Sequence, residues 1–425
     1  MKRRVVVTGL GIVSPNGIGL EKFEDSLRNC SSGITFNQQL KELSFGCNIS
    51  AIPHVSDELK SKYYSPLFLK SIENTAIIFG GMAGLDAWED AGLPLTDPED
   101  TDWDSGVIFG CGSMSMDTFI GKKINMVDEG RSRWLGSRVI EQTMNSGTSA
   151  FLGGQLGLGN LVGSNSSACS TGTEAVIQGY ERIKLGKAKR MLCGSCESHG
   201  PYNWGAFDSM RILCRDSNDQ PTRGSRPMSA DANGFVPGTG SGALILENLE
   251  DALDRGARIY AEILGGNVNS GGQRNGGTMT APSPVGVVRC IRSAIKSSGI
   301  NPGDIDGICG HLTSTMADLL EIRNWAEALQ LKRDKFPMIN ALKSMIGHCL
   351  GSAGSIELVA VSLQLYKNFF HGSLNIENIH PEIEKYVDET KIPSQTINFG
   401  GQIIAKASFG FGDINTCIIL KKWRN

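Results

Sequence analysis

Cys169 lies in the run Ser164-Asn165-Ser166-Ser167-Ala168-Cys169-Ser170-Thr171-Gly172-Thr173-Glu174-Ala175-Val176, where small polar residues lead straight into an amphipathic pattern that continues through Tyr180 to about Leu185. This pattern predicts a helix that opens at the cysteine. There, unpaired backbone N–H groups and the helix dipole are expected to favour the thiolate and lower its pKa. Small neighbours leave room for a substrate carbonyl at the sulfur. A single cysteine is more often a small buried apolar residue than a nucleophile, so its partners decide the matter. His311 lies in Gly310-His311-Leu312-Thr313-Ser314-Thr315, and His348 follows Lys343-Ser344-Met345-Ile346-Gly347. Near the C-terminus, Ser408-Phe409-Gly410-Phe411-Gly412-Asp413-Ile414-Asn415 reads as a Gly-x-Gly turn between two strands, with backbone N–H groups free to face a ligand oxygen.

The elements that must position these residues alternate between strand and helix. Strands are expected at Arg4–Thr8, Gly106–Gly110, Arg190–Cys196, Gly242–Leu249, Asp306–Cys309 and Met338–Asn340, and a second set opens at Ile259–Val268. Helices are expected at Ser71–Ala91, after the cysteine loop as far as Lys187, at Pro284–Ser298, at Ala317–Gln330 and at Met345–Lys367. Ser394–Asn398 and Lys406–Ser408 are expected to pair with Thr416–Leu420 as closing strands. Such alternation argues for an α/β sheet covered by helices on both faces. The two halves also echo each other. Each carries a strand, a loop with a reactive type of residue, and a Gly/Ala-rich helix. The expected organisation is therefore a duplicated α/β unit, residues 1–255 carrying Cys169 and residues 256–425 carrying the histidines, with both halves facing one site.

Composition removes several classes of function. The 425 residues have a formal net charge of −3, with 40% hydrophobic and 20% charged residues, as in an ordinary globular protein. Nothing in that balance calls for nucleic acid or an anionic membrane surface, and no apolar run reaches spanning length. The N-terminus enters a strand without a long apolar leader, and the 11 cysteines lack disulfide-scaffold spacing, so a reducing cytoplasm is the expected compartment. Two weaker motifs point elsewhere. Gly9-Leu10-Gly11 follows a strand as in a dinucleotide fold, but Pro15 and Asn16 fall where its helix should open. Cys193-Gly194-Ser195-Cys196 with His199 offers soft ligands for zinc, yet it lies in a strand pattern and has no second pair.

Taken together, the motifs resemble the elongating β-ketoacyl-acyl carrier protein synthases (the KAS I/II type, with a thiolase fold). The resemblance covers essentially the whole chain. In order it comprises a nucleophile cysteine, two histidines, a lysine five residues before the second histidine, and a Gly-Phe-Gly-Phe-Gly-like turn. It implies a layered α-β-α-β-α fold and a homodimer, joined through the Arg190–Cys196 strand region. It implies Cys169 as nucleophile, with His311 and His348 as the histidine pair. Lys343 and Glu357 become the supporting charged pair, Phe411 the gate, with Phe409 beside it, and Thr313 and Thr315 contacts for the pantetheine arm. Met114, Met116 and Phe207 fall at the acyl pocket, and Arg211 and Lys70 at the docking surface for an acyl carrier protein. No cofactor or metal is implied, because the phosphopantetheine arrives on the carrier.

The residue types suit that reaction. Cysteine resembles a thioester in leaving-group ability, so it can take an acyl group and pass it on. Loss of carbon dioxide from a malonyl thioester builds charge on its carbonyl oxygen. Two neutral imidazoles donating from Nε2 would hold that enolate, at about 3 kcal/mol per fixed donor in a dry site. A second oxyanion would sit on the backbone N–H groups of Cys169 and Phe411.

The chain departs from the usual family pattern at several points. Gly310 and Leu312 replace the Ala and Gly around the first histidine, Asp413 stands for a glycine after the gate, and Thr239 interrupts a Gly-Glu-Gly turn. The resemblance implies a role in fatty acid synthesis or in a specialised polyene or polyketide pathway, and these changes suggest a divergent branch of the second kind. A non-catalytic chain-length partner subunit is the competing reading, and the presence of Cys169 with both histidines argues against it. A degradative thiolase would need a second catalytic cysteine near the C-terminus, where this chain has Phe411 and Asp413. Phe68 and Leu69, beside a sparsely charged segment, are expected to offer apolar area to the carrier.

Overall fold

The strands are buried on both faces, which is why they read as short apolar runs with little alternation. The computed structural model describes residues 3–97, 99–114 and 116–424. Ser115, in the loop assigned to the acyl pocket, lies outside the described residues, as do Met1 and Lys2 at the N-terminus. In chain order the main strands are β1 Val5–Ser14, β2 Ser105–Cys111, β3 Val162–Gly163, β4 Arg190–Glu197, β5 Gly240–Asn248, β6 Ala261–Ser270, β7 Gly307–Cys309, β8 Met338–Asn340, β9 Ile403–Gly410 and β10 Ile414–Lys422. Across the sheet they run β3-β2-β4-β5-β1-β6-β10-β9-β7-β8.

Read outward from the β1/β6 junction, both halves have the same plan. In each, the two inner pairings are antiparallel and the two outer ones parallel. The same order of pairings recurs on either side of that junction, and the segment between Asn248 and Ala261 joins the two sets of strands.

Five helices complete the layers: α1 Thr75–Asp90, α2 Thr171–Lys184, α3 Pro284–Ser298, α4 Ala317–Leu329 and α5 Ala353–Lys367. Helix α1 covers β1, β4 and β5. On the other side α3 covers β6 and β10 and packs on α4. Helices α2 and α5 lie against each other with strands of both halves on them, which makes them the middle layer. Their sequences fit that position. Every residue of α5 from Ala353 to Leu365 is buried, as expected of a helix with no solvent face.

The N-terminal turns of α2 and α5 meet at two glycines. A Cβ on Gly172 would stand 2.4 Å from the backbone nitrogen of Ser355, and one on Gly354 would stand 2.6 Å from that of Thr173. Any side chain there would push the helices apart. This contact brings the loops preceding the two helices together.

Four expectations about elements need correction. The pattern over 345–367 is not one helix: Lys343–Ile346 is a single turn, Gly347 takes φ +61°, and α5 begins only after a 3-10 turn at Leu350–Ser352. The interruption places His348 in a loop. Helix α1 starts at Thr75, because the Asn74 side chain caps it by accepting from the Ala76 N–H at 2.9 Å. Within Ser394–Asn398, the strand Ile397–Asn398 pairs with Phe369–Phe370 instead of the closing strands. Finally, β4 has β2 on one side and β5 on the other, so the Arg190–Cys196 region has no free edge for a partner.

Candidate active site

Cys169 and His348 occupy equivalent places in the two units. Cys169 lies in the 3-10 turn Ala168–Ser170 between β3 and α2, and His348 precedes the 3-10 turn Leu350–Ser352 between β8 and α5. Ala168 and Leu350 adopt matching left-handed φ values of 49° and 50°. With the helix ends abutting at Gly172 and Gly354, the two loops converge, and His348 Nε2 stands 3.1 Å from Cys169 Sγ. His311 joins them from the loop after β7. The Cys169 sulfur and a ring nitrogen of each histidine lie within 4.8 Å of one another. The imidazoles meet edge to face, with centroids 5.3 Å apart and planes at 84°.

Hydrogen bonds to the other ring nitrogen set the tautomers. The Leu350 N–H donates to His348 Nδ1 at 3.2 Å, and the Lys343 ammonium lies 3.5 Å from His311 Nδ1. With Nδ1 accepting in both rings, each neutral imidazole carries its proton on Nε2 and presents it to the space beside the sulfur. Burial is the main reason both rings are held neutral, pushing their pKa values well below the ordinary range. Lys343 adds to it at both rings, as does the neighbouring imidazole for His311.

The same burial overturns the expectation for Cys169. Its thiol is pushed up to about 11 by burial, against the pull of Lys343 and of the Phe411 and Cys169 backbone N–H groups toward the thiolate. The helix end is present, but desolvation outweighs it. The expected outcome is an alkylation rate with iodoacetamide that climbs about tenfold per pH unit between pH 7 and pH 10, following the thiolate fraction. A plateau reached below pH 8 would contradict this ordering of effects.

Behind the histidines lies a buried ionic cluster. Lys343 Nζ meets Glu357 Oε1 at 2.5 Å, and the other carboxylate oxygen meets Lys406 Nζ at 2.9 Å. All three side chains are at most 1% exposed. Lys406, on β9, is the residue that sequence reasoning missed.

A cavity of about 240 Å³ opens on this cluster of reactive groups. Cys169, His311 and His348 line it together with Thr313, Thr315, Phe207, Phe409 and Phe411. The Thr313 and Thr315 hydroxyls share a hydrogen bond of 2.9 Å, and the Phe411 ring stands 6.1 Å from that of Phe207. Gly410 lets the hairpin sit on the cysteine turn, since a Cβ there would lie 2.7 Å from the Ser167 carbonyl. Asp413, at φ +62°, ties the turn after Phe411 to the 271–283 segment by accepting from the Gln273 and Ser283 N–H groups at 2.9 and 2.7 Å.

The two departures around His311 form one compensated change. Leu312 is wholly buried and folds back to where a Cβ on Gly310 would be, 2.6 Å from its Cδ1. The histidine itself is anchored through its backbone N–H, which donates to Glu321 Oε1 at 2.7 Å.

Other expected site residues lie elsewhere. Met114 and Met116 do not line this cavity. Met114 is wholly buried in the cluster around α1, and Met116 opens the turn Met116–Ile120. Arg211 is exposed just after the cavity-lining Met210, whereas Lys70 borders a separate depression that shares no lining residue with the cavity. Phe68 is buried, stacked on Tyr64 at 4.8 Å, and offers no apolar area to a partner; in the short helix Pro66–Ser71 the large hydrophobic residue that is exposed is Leu67, while Leu69 is half-buried. Cys193 and Cys196 belong to different hydrophobic clusters, so the CxxC spacing gathers no metal ligands. Among the described residues, no helix is long and apolar enough to cross a membrane.

The β-ketoacyl synthase N-terminal domain model matches residues 2–252, and the C-terminal domain model matches residues 260–377. The chain belongs to the β-ketoacyl synthase family. It is 34% identical over 428 residues to 3-oxoacyl-[acyl-carrier-protein] synthase 1 of Buchnera aphidicola subsp. Schizaphis graminum, covering 99% of this chain and 100% of the relative. It is 33% identical to the enzyme of the same name from Escherichia coli strain K12, with both chains covered in full. Among solved structures, a β-ketoacyl synthase from Burkholderia phymatum STM815 superposes with a TM-score of 0.90 at 26% identity, covering 99% of this chain and 100% of that one. A type II PKS ketosynthase, solved in complex with its acyl-carrier protein and bound to the hexaketide, gives 0.87 at 28% identity with full coverage of both chains. This β-ketoacyl synthase shares the fold of those ketosynthases.

Proposed function

We propose that this β-ketoacyl synthase condenses an acyl group carried on Cys169 with a malonyl thioester delivered by an acyl carrier protein, releasing carbon dioxide and a 3-oxoacyl thioester. The observation that carries the reading is the convergence of Cys169 Sγ with two Nε2–H donors on one cavity, His348 at 3.1 Å from the sulfur. The Cys169 thiol attacks the incoming thioester as its thiolate, and the proton it gives up passes to the departing carrier sulfur. The tetrahedral oxyanion is held by the Cys169 and Phe411 backbone N–H groups, and the carrier thiol leaves. A malonyl thioester then enters along Thr313 and Thr315. As its carboxylate departs as carbon dioxide, charge moves to the thioester oxygen, where His311 and His348 donate. The enolate carbon attacks the acyl-Cys169 carbonyl, and the Cys169 sulfur leaves.

The curated relatives carry the name 3-oxoacyl-[acyl-carrier-protein] synthase, and one structural relative was solved with its carrier protein, which supports carrier-bound substrates here. Arg211, exposed next to the cavity-lining Met210, is our candidate contact for an acidic carrier. Specialised polyketide or polyene synthesis is the pathway we favour, supported by the ketosynthase neighbours and by the tethering of the Phe411 turn through Asp413. The test is product analysis by mass spectrometry after incubation with malonyl and acyl carrier proteins of graded chain length. A 3-oxoacyl product two carbons longer is expected for a narrow set of chain lengths. No condensation with any acyl donor would overturn the reading.

We also propose a homodimer. With β4 enclosed, pairing has to use a free edge, and β3 offers one at the partly exposed Val162, directly before the Cys169 loop. Sedimentation at micromolar concentration is expected to show twice the chain mass. A monomer throughout would contradict it.

A further inference from the structure

Two buried ammonium groups share one carboxylate behind the histidines, and one of them has no place in the reaction scheme above. Neutralising Glu357 takes a single lysine, and Lys343 already meets it at 2.5 Å. Lys406 is nevertheless wholly buried on the interior strand β9, where a second charge is costly to desolvate. Its Nζ lies 2.9 Å from Glu357 Oε2 and donates to Ser408 Oγ at 2.9 Å and to the Ala407 carbonyl. Ser408 continues the link toward the nucleophile. Its hydroxyl shares a 2.9 Å hydrogen bond with Thr173 on α2, and its carbonyl accepts from Ser170 Oγ at 3.1 Å.

We propose that Lys406 is a positioning residue for the decarboxylation step: it holds Glu357, and through it Lys343, against His311, and leaves the buried cluster with one net positive charge behind the two imidazoles. The proposal rests on the histidine roles given under Proposed function. A carboxylate with only Lys343 beside it would be free to turn, and Lys343 would lose its fixed distance of 3.5 Å to His311 Nδ1. With Lys406 on the second oxygen, the carboxylate is held from both sides. The surplus charge also disfavours protonation of either ring, so both keep the neutral Nε2–H form that donates to an enolate. Burial is the largest influence holding the rings neutral, and Lys406 works in the same direction on both.

The test compares Lys406→Met and Lys406→Arg with wild type in two assays: acyl loading of Cys169 by intact mass, and carbon dioxide release from malonyl-carrier protein. Lys406→Met is expected to load Cys169 near the wild-type rate. Its kcat for decarboxylation is expected to fall by about tenfold to a hundredfold with KM little changed, the loss of one charge at short range in a low-dielectric site. Lys406→Arg is expected to recover part of that kcat. A wild-type decarboxylation kcat in Lys406→Met would overturn the proposal, as would equal losses in loading and decarboxylation that Lys406→Arg does not reverse. If the methionine variant does not fold, Lys406→Gln, which retains a donor for Ser408 without the charge, carries the same expectations. Failure of the underlying histidine reading is separate, because His311→Ala would then release carbon dioxide at the wild-type rate.

Discussion

Cys169→Ala is expected to abolish condensation, with product formation at least about a thousandfold below wild type, because among the described residues no other cysteine lines the cavity beside the histidines to hold the acyl chain as a thioester. Ten other cysteines remain in the variant, and nine of them are buried. Their thiols cannot substitute: Cys193, for example, sits in the core packed against Gly179. The alanine adds no bulk at the half-buried turn, so the fold and the 3-10 turn Ala168–Ser170 are expected to survive. One half of the chemistry is also expected to survive, since His311 and His348 remain in place to support malonyl decarboxylation without a nucleophile. Chromatographic assay of the 3-oxoacyl product, alongside carbon dioxide release, measures both. Undiminished condensation would remove Cys169 from the mechanism.

His311→Ala is expected to do the reverse. In the proposed mechanism acyl transfer to Cys169 depends on the sulfur and on the Cys169 and Phe411 N–H groups and makes no use of the His311 ring. Decarboxylation loses one of two Nε2–H donors in a buried site, which corresponds to about a hundredfold to a thousandfold in kcat. The loss is expected in kcat more than in KM, because the charge that His311 meets develops only as carbon dioxide leaves. Lys343 would also lose its contact with Nδ1, so Lys343→Ala should show a milder version of the same pattern. A His311→Ala enzyme that loads acyl groups and still releases carbon dioxide at the wild-type rate would contradict the assignment.

What could be read from the sequence follows a physical line. Cys169, His311 and His348 stand out because each lies in a loop of small residues and glycines where strands give way to helices, and such loops announce themselves by composition. Lys343 is visible by its fixed spacing from His348. Lys406 is not visible. In Ile403-Ile404-Ala405-Lys406-Ala407-Ser408 a lysine among small and apolar residues reads as the solvent side of a strand, yet β9 is covered on both faces. The same double burial conceals the edge strand: β4 reads as apolar and exposed to a partner, while its neighbours on both sides come from distant parts of the chain. Apolar periodicity runs on through Met345, Ile346 and Leu350, so the pattern hides the break at Gly347 that frees His348 from a helix. The pKa of Cys169 fails for a related reason. A helix start can be seen in sequence, but the desolvation that outweighs it depends on what the other half of the chain brings over it. Phe68 shows the limit at the surface, since only the packing of Tyr64 and Phe151 decides which apolar residue of that short helix turns inward.

Whether Cys169 carries the acyl group through condensation is read by intact-mass analysis followed by peptide mapping after incubation with a saturated acyl-carrier protein, with a malonyl-carrier protein then added. One acyl mass per chain is expected, located on the peptide containing Cys169, which disappears as the 3-oxoacyl product forms. An adduct on another residue, an adduct that persists in Cys169→Ala, or product formed with no acyl-enzyme discharge would contradict it.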